Sequence, residues 1–118
     1  MRVLVVDDSR AIYTMVKEML IDGGHDAYWA ADGQKAMDFL KEEKVDVVLL
    51  DWNMPVMDGP TFLKENGKQI FTDAPVMMMT TENSPDYIKK ALSLGAVEYI
   101  MKPFTSDILF NKIELVLE

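Results

Sequence analysis

The 118-residue sequence contains no cysteine, which excludes a disulfide scaffold, a thiolate metal site and a cysteine nucleophile. Its single histidine has no second histidine with which to share a metal site. No apolar run approaches the roughly 18 residues of a membrane span. The opening run at 3–6 is too short for the core of a signal peptide and ends in two aspartates. We therefore expect a protein of the reducing cytoplasm that does not enter a membrane.

Basic residues are outnumbered, because 12 Lys and Arg against 20 Asp and Glu give a net charge of −8. A chain this acidic is not expected to bind nucleic acid or anionic membranes directly through its overall field. Internal repeats and low-complexity segments are also missing, and a composition of 49% apolar and 27% charged residues is that of a folded domain. The length then predicts one domain covering residues 1–118.

Short apolar runs alternate with segments of helical spacing. The runs at 3–6, 27–31, 45–50, 76–79 and 97–101 are predicted strands, and the unbroken ones favour burial on both faces. The methionines at 77–79 are expected in the core, Trp29 in or beside the second strand, and Trp52 partly exposed. Strands alternating with helices predict an α/β fold, a five-stranded parallel sheet with helices on both faces and right-handed crossovers.

Helix boundaries follow from local signals. In the first helix, residues 12, 15, 16, 19 and 20 are apolar and share one face. Predicted N-terminal caps are Asp32 for the second helix, Ser84 for the fourth, and Thr105 or Ser106 for the last. The third helix is expected to be short or frayed, because Asn66 and Gly67 interrupt its pattern.

Polar side chains follow four of the five predicted strands. They are Asp7 and Asp8 after the first strand, Asp51 after the third, Thr80 and Thr81 after the fourth, and Lys102 after the fifth. In open α/β sheets ligands bind beyond the carboxyl ends of the strands, so these groups are predicted to meet at one edge. Each residue alone has a simpler interpretation: the aspartates as helix or turn caps, the threonines as strand-end hydroxyls, and the lysine as a solvated side chain.

The combination of these groups indicates a phosphate-accepting magnesium site. Three carboxylates within a few ångströms repel one another unless a cation compensates, and Mg²⁺ prefers oxygen ligands while leaving positions for phosphate oxygens. An aspartate beside Mg²⁺ can act as a nucleophile and form an aspartyl-phosphate. Phosphoryl transfer needs mainly positioning and charge neutralisation, for which a lysine and a hydroxyl are suited.

Four motifs give the chain a resemblance to the receiver domains of two-component response regulators. They are VLVVDDS at 3–9, VVLLDWNMPVMDG at 47–59, PVMMMTTE at 75–82 and GAVEYIMKPF at 95–104, and they extend the resemblance over essentially the whole chain. The run at 52–55, with Glu82 and Tyr99, is most similar to chemotaxis-type, CheY-like receivers. The resemblance implies a flavodoxin-like (βα)5 fold with strand order 2-1-3-4-5, which the strand pattern alone does not determine.

The resemblance also implies which residues carry the chemistry. Asp51 would be the phosphoacceptor. Asp7, Asp8 and Asp51 would bind Mg²⁺, together with the backbone carbonyl of Asn53. Asn53 would in addition modulate the lifetime of the phosphoryl group.

The remaining implied roles concern the switch between two states. Lys102 would pair with the phosphoryl group and form a cis bond to Pro103. Thr80 would be the switch hydroxyl, because it directly follows its strand and Glu82 falls two places on. Tyr99 would rotate into the space that Thr80 vacates, and Glu82 would modulate the phosphoryl lifetime.

A receiver of this kind implies partners rather than an external substrate. The phosphodonor would be a histidine kinase or a phosphotransfer protein, and phosphorylation would shift a pre-existing equilibrium. The surface read by a downstream protein would be the fifth strand with the helices near 84–94 and 105–117. We expect a signalling switch with intrinsic phosphotransfer and autodephosphorylation chemistry, not an enzyme, that is a monomer or a phosphorylation-dependent dimer.

Several alternatives stay open at this stage. A stand-alone chemotaxis-type switch is expected, but a receiver domain of a larger, for example DNA-binding, regulator or a phosphorelay intermediate would look similar. An aspartate-nucleophile Mg²⁺ phosphatase is disfavoured, because such enzymes place a second aspartate where this chain has Asn53 and no cap domain fits in 118 residues. A nucleotide-binding domain is disfavoured because no Gly-rich loop follows the first strand.

Overall fold

The predicted alternation of strand and helix is confirmed in a computed structural model that describes residues 1–82 and 84–118. The strands are β1 Arg2–Val6, β2 Asp26–Ala30, β3 Val47–Leu50, β4 Val76–Thr80 and β5 Glu98–Met101. The helices are α1 Arg10–Asp22, α2 Gly33–Glu42, α3 Gly59–Gln69, α4 Pro85–Ser93 and α5 Ser106–Leu117. No helix within the described ranges is both long and apolar enough to cross a membrane.

The five strands form one parallel sheet in the order β2-β1-β3-β4-β5. This confirms the α/β class and the strand order that the resemblance implies. The strand β1 lies between β2 and β3, with Val6 in register with Ala30 on one side and Leu50 on the other. The residues that follow β1 and β3 are therefore neighbours at the carboxyl edge, although 44 positions separate Asp7 from Asp51 in sequence.

Alternate residues of each central strand face opposite layers of the core. Leu4, Val6 and Met78 belong to a buried cluster shared with α2, α3 and α4. Val5 and Met77 belong to a second cluster shared with α1 and α5. The methionines at 77–79 are all fully buried, which confirms that they fill the core. Burial on both faces explains why these strands are nearly free of polar residues.

Short polar side chains begin the helices, and most of these caps were predicted. The side chains of Asp32, Ser84 and Thr105 accept hydrogen bonds from the backbone N–H groups three residues further on. At the start of α1 the cap is Ser9, whose side chain accepts from Ile12 N. Neither Asp7 nor Asp8 caps this helix, so the simpler interpretation of that pair as N-terminal caps is wrong.

The prediction for α3 is wrong, because the helix runs for 11 residues through Asn66 and Gly67. Asp58 caps its start, and Phe62 and Leu63 are buried in the core. Gly within a helix costs about 1 kcal/mol relative to Ala, whereas burying one large apolar side chain gains about 1.5–3 kcal/mol. The tertiary contacts of two such side chains therefore outweigh the local helix-breaking signal.

Candidate functional site

The three predicted aspartates meet at the carboxyl edge of the sheet. One carboxylate oxygen from each of Asp7, Asp8 and Asp51 lies within 4.8 Å of the others. Backbone pairing produces this convergence, because Asp7 N donates to Ala30 O of β2 and Asp51 N donates to Val6 O of β1 at 2.8 Å. Asp7 and Asp51 are buried, whereas Asp8 is exposed. The cluster is thus open to solvent on the side of Asp8.

Lys102 brings a positive charge into the cluster from the end of β5. Its Nζ donates to Asp7 Oδ2 at 2.7 Å and lies 3.3 Å from Asp51 Oδ1. The backbone N–H of Lys102 donates to Thr80 O, so β4 holds the start of this loop. The peptide bond between Lys102 and Pro103 is cis, as the resemblance implies. One ammonium group faces three carboxylates, which leaves the cluster with an excess of negative charge.

The electrostatic consequence is clearest at Asp51. Burial and the neighbouring Asp7 carboxylate raise the pKa of Asp51 from 3.8 to about 6, against the opposing effects of Lys102 and of the Trp52 N–H. The Trp52 N–H donates to Asp51 Oδ1 at 2.9 Å. A carboxylate destabilised in this way gains from a second cation, so the donor set fits a hard divalent ion with oxygen ligands.

The loop after β3 packs closely around Asp51. At Gly59 an added Cβ would lie 2.5 Å from the Asp51 carbonyl oxygen, so the chain needs glycine there. Asn53, the other predicted contributor from this loop, is exposed. Trp52 was predicted to be partly exposed, but only 6% of it is accessible. Its ring packs edge-on against Tyr87 of α4, with ring centroids 4.9 Å apart, and this contact covers it.

The two threonines after β4 differ in their surroundings. Thr80 is buried at the end of the strand and its hydroxyl accepts a hydrogen bond from Glu82 N, whereas Thr81 is exposed. Tyr99 of β5 packs partly into the core, and no group among the described residues hydrogen-bonds to its buried hydroxyl. Burial raises the pKa of Tyr99, and the Glu82 carboxylate adds to that effect. Thr80 and Glu82 thus lie at the carboxyl end of β4, whereas Tyr99 lies earlier in β5, in register with Met78.

Two contacts to Asp7 were missed from the sequence. Ser9 N donates to Asp7 Oδ1 at 2.9 Å, and the indole Nε1 of Trp29 donates to the Asp7 carbonyl oxygen at 2.8 Å. Ser9 carried a recognisable helix-cap signal, but nothing local to Trp29 indicated a contact 22 residues away. Trp29 does lie in β2, as expected.

Comparison with known proteins agrees with this fold. The family model described as the response regulator receiver domain matches residues 3–114. The chain therefore belongs to the response regulator receiver family. Domains of this family bind Mg²⁺ in an acidic pocket, take a phosphoryl group from a histidine kinase and signal to downstream targets.

The relatives include chemotaxis proteins. The chain is 41% identical to a chemotaxis protein CheY homolog of Campylobacter jejuni, over 99% of this chain and 92% of that protein. It superimposes on chemotaxis protein CheY4 of Vibrio cholerae with a TM-score of 0.90 at 37% identity, covering 98% of both chains. The receiver domain of the Francisella response regulator 1452 gives a TM-score of 0.90 at 31% identity, covering 98% of this chain and 95% of that one.

Proposed function

We propose that Asp51 accepts a phosphoryl group from a phosphohistidine of a partner kinase or phosphotransfer protein, and that the phosphorylated chain acts as a signalling switch. The observation that carries this proposal is the convergence of Asp7, Asp8 and Asp51 within 4.8 Å, with the Lys102 ammonium beside two of them. In the transfer, an Asp51 oxygen forms a bond to phosphorus while the phosphorus–nitrogen bond breaks. The electron pair of that bond returns to the imidazole, which takes up a proton.

The chain's oxygen ligands suit Mg²⁺. Asp7, Asp8 and Asp51, with the backbone carbonyl of Asn53, would hold the ion. When bound, it would neutralise charge on the phosphoryl oxygens and offset the repulsion from Asp7, which adds to burial in raising the pKa of Asp51. The exposed position of Asp8 supports this assignment, because a partly open site leaves room for water and phosphate oxygens.

Lys102 would neutralise the phosphoryl group, since its ammonium already lies 3.3 Å from Asp51 Oδ1. The Thr80 hydroxyl, at the end of the neighbouring strand, would then turn towards the phosphoryl oxygens. Tyr99 would be the second mover, because no group among the described residues hydrogen-bonds to its hydroxyl and turning it would break no such bond. Asn53, which is exposed, and Glu82, which is partly buried, would influence attack by water and hence the phosphoryl lifetime.

The output surface would be β5 with α4 and α5. Several large apolar side chains are exposed on these elements and the turn before β5, namely Leu92, Val97, Met101 and Ile108. Such side chains favour a protein partner. The likeness to chemotaxis proteins from Campylobacter jejuni and Vibrio cholerae favours a chemotaxis-type switch in the cytoplasm, without turnover of an external substrate.

The test is the intact mass of the protein after incubation with acetyl phosphate, with and without Mg²⁺. We expect one added phosphoryl group that requires Mg²⁺ and is absent from Asp51→Asn. Asp58→Asn is the matched control, because Asp58 caps α3 in the same loop and should leave the labelling intact. Labelling of Asp51→Asn in unchanged yield would refute the assignment.

A labile adduct needs a second measurement. Beryllofluoride mimics a bound phosphoryl group without hydrolysing, so a stable complex that depends on Asp51 would establish the site where no mass adduct is seen. Failure to bind beryllofluoride as well would reject phosphorylation as the trigger.

A further inference from the structure

Trp29 makes a contact with the candidate site that none of the proposed roles includes. It lies opposite Val5 in the β1–β2 register, so its side chain faces the layer that contains α1. From there its indole Nε1 donates to the backbone oxygen of Asp7 at 2.8 Å. A tryptophan at an edge strand thereby reaches the first residue of the acidic cluster.

This bond completes an unusual restraint on Asp7. Its N–H donates to Ala30 O, its Oδ1 accepts from Ser9 N and its Oδ2 accepts from Lys102 Nζ. The Trp29 bond occupies the carbonyl oxygen. Each polar atom of Asp7 therefore has a partner, which fixes both its backbone and its carboxylate.

The indole is itself held in a column of side chains. Its ring stacks on Tyr13 of α1 with centroids 5.2 Å apart and an interplanar angle of 10°. The Arg10 guanidinium lies 5.5 Å from the Trp29 ring centroid, and the Lys17 ammonium lies 6.0 Å from that of Tyr13. Because the ring cannot swing away without breaking the stack, its N–H keeps a defined direction.

We propose that Trp29 is a positioning residue for the Mg²⁺ site: its N–H holds the Asp7 carbonyl and thereby the turn that presents the Asp7 and Asp8 carboxylates. The inference rests on the proposed function. Like-charged carboxylates separate unless the backbone holds them, so a pre-positioned turn raises the affinity for the cation. Loss of an outer partner of a metal ligand typically weakens binding 10- to 100-fold, and a bond to the ligand's backbone belongs at the lower end, about tenfold.

The experiment compares the Mg²⁺ affinity of the wild-type protein with that of Trp29→Phe. Binding is measured from the shifts of the amide NMR signals of Ser9 and Trp52 during a Mg²⁺ titration. Trp29→Phe keeps an aromatic ring but removes the donor. A second variant carries benzothienylalanine at position 29, in which sulfur replaces the indole N–H at nearly constant shape. The matched control is Tyr28→Phe. Tyr28 lies next to Trp29 in β2, and the substitution removes only the hydroxyl that accepts a hydrogen bond from Arg2.

We expect about tenfold weaker Mg²⁺ binding in both position-29 variants, with Tyr28→Phe unchanged. In the metal-free proteins, hydrogen exchange at Ser9 N should be faster in the position-29 variants than in the wild type. The increase should exceed what their loss of global stability, measured from the urea midpoints, would cause. Affinity within twofold of wild type for the benzothienylalanine variant would overturn the inference alone, and so would an equal loss in Tyr28→Phe. Wild-type protein without any Mg²⁺-dependent shift would instead remove the proposed function, and the inference with it.

Discussion

Replacing Asp51 by Asn should stabilise the metal-free protein, because folding places the Asp51 carboxylate where its charged form is unfavourable. The pKa of Asp51 is about 6 in the folded protein and 3.8 ordinarily, and burial is the main cause. Between these two pH values the folded state binds more protons than the unfolded state, so stability falls as the pH rises through that window. Above about pH 6 the penalty is complete. At about 1.36 kcal/mol for each pKa unit it amounts to about 3 kcal/mol.

The assay is urea unfolding of both proteins in EDTA at several pH values. Linkage predicts that the free energy of unfolding of Asp51→Asn exceeds that of the wild type by about 1–2 kcal/mol at pH 5 and by about 3 kcal/mol at pH 7.5. The attraction of Lys102 is already contained in the pKa of about 6, so no separate loss is added for the broken ion pair. Asp38→Asn, at an exposed position on α2, is the control and should show no such trend.

Mg²⁺ provides an internal check on the same reasoning. A cation that binds the folded wild type and not the unfolded chain raises its free energy of unfolding, so the gap to Asp51→Asn should shrink as Mg²⁺ is added. A wild type that is the more stable protein at pH 7.5 in EDTA, or a gap that does not grow with pH, would refute the electrostatic account of this site.

Three further substitutions test other parts of the structure. Lys102→Gln removes the ammonium shared by Asp7 and Asp51, and acetyl-phosphate labelling measured by intact mass should slow by about a hundredfold; labelling at the wild-type rate would contradict this. Gly59→Ala puts a Cβ 2.5 Å from the Asp51 carbonyl, so the free energy of urea unfolding should fall by about 1–3 kcal/mol, and an unchanged value would show that the loop yields freely. Ile70 has a φ of 48°, which favours glycine, and its side chain is 71% exposed. Ile70→Gly should therefore raise the free energy of unfolding by up to about 1 kcal/mol, and a lower urea midpoint would contradict this.

Much of the fold could be predicted because its signals are local. The apolar runs gave the strands to within two residues, and the caps Asp32, Ser84 and Thr105 act on backbone groups three positions away. The strand order was different, since it followed from the resemblance to receiver domains and not from any pattern within the strands.

The errors occurred where distant contacts outweighed local signals. Gly67 predicted a break in α3, but Phe62 and Leu63 anchor that helix in the core. Trp52 was expected to be partly exposed because it follows Asp51, yet Tyr87 of α4 covers it. The residues next to Gly67 and Trp52 in sequence do not indicate these contacts.

The sequence by itself determined which chemical groups this protein carries at the ends of its strands. The hydrophobic period, the length of each apolar run and the residues that follow it are all properties of short segments. Only the tertiary structure decided which of these groups touch. Lys102 meets Asp7 across 95 positions, and Trp29 donates to the Asp7 carbonyl across 22. Both contacts exist because parallel strands bring their carboxyl ends to one edge of the sheet, where distance through space no longer follows distance along the chain.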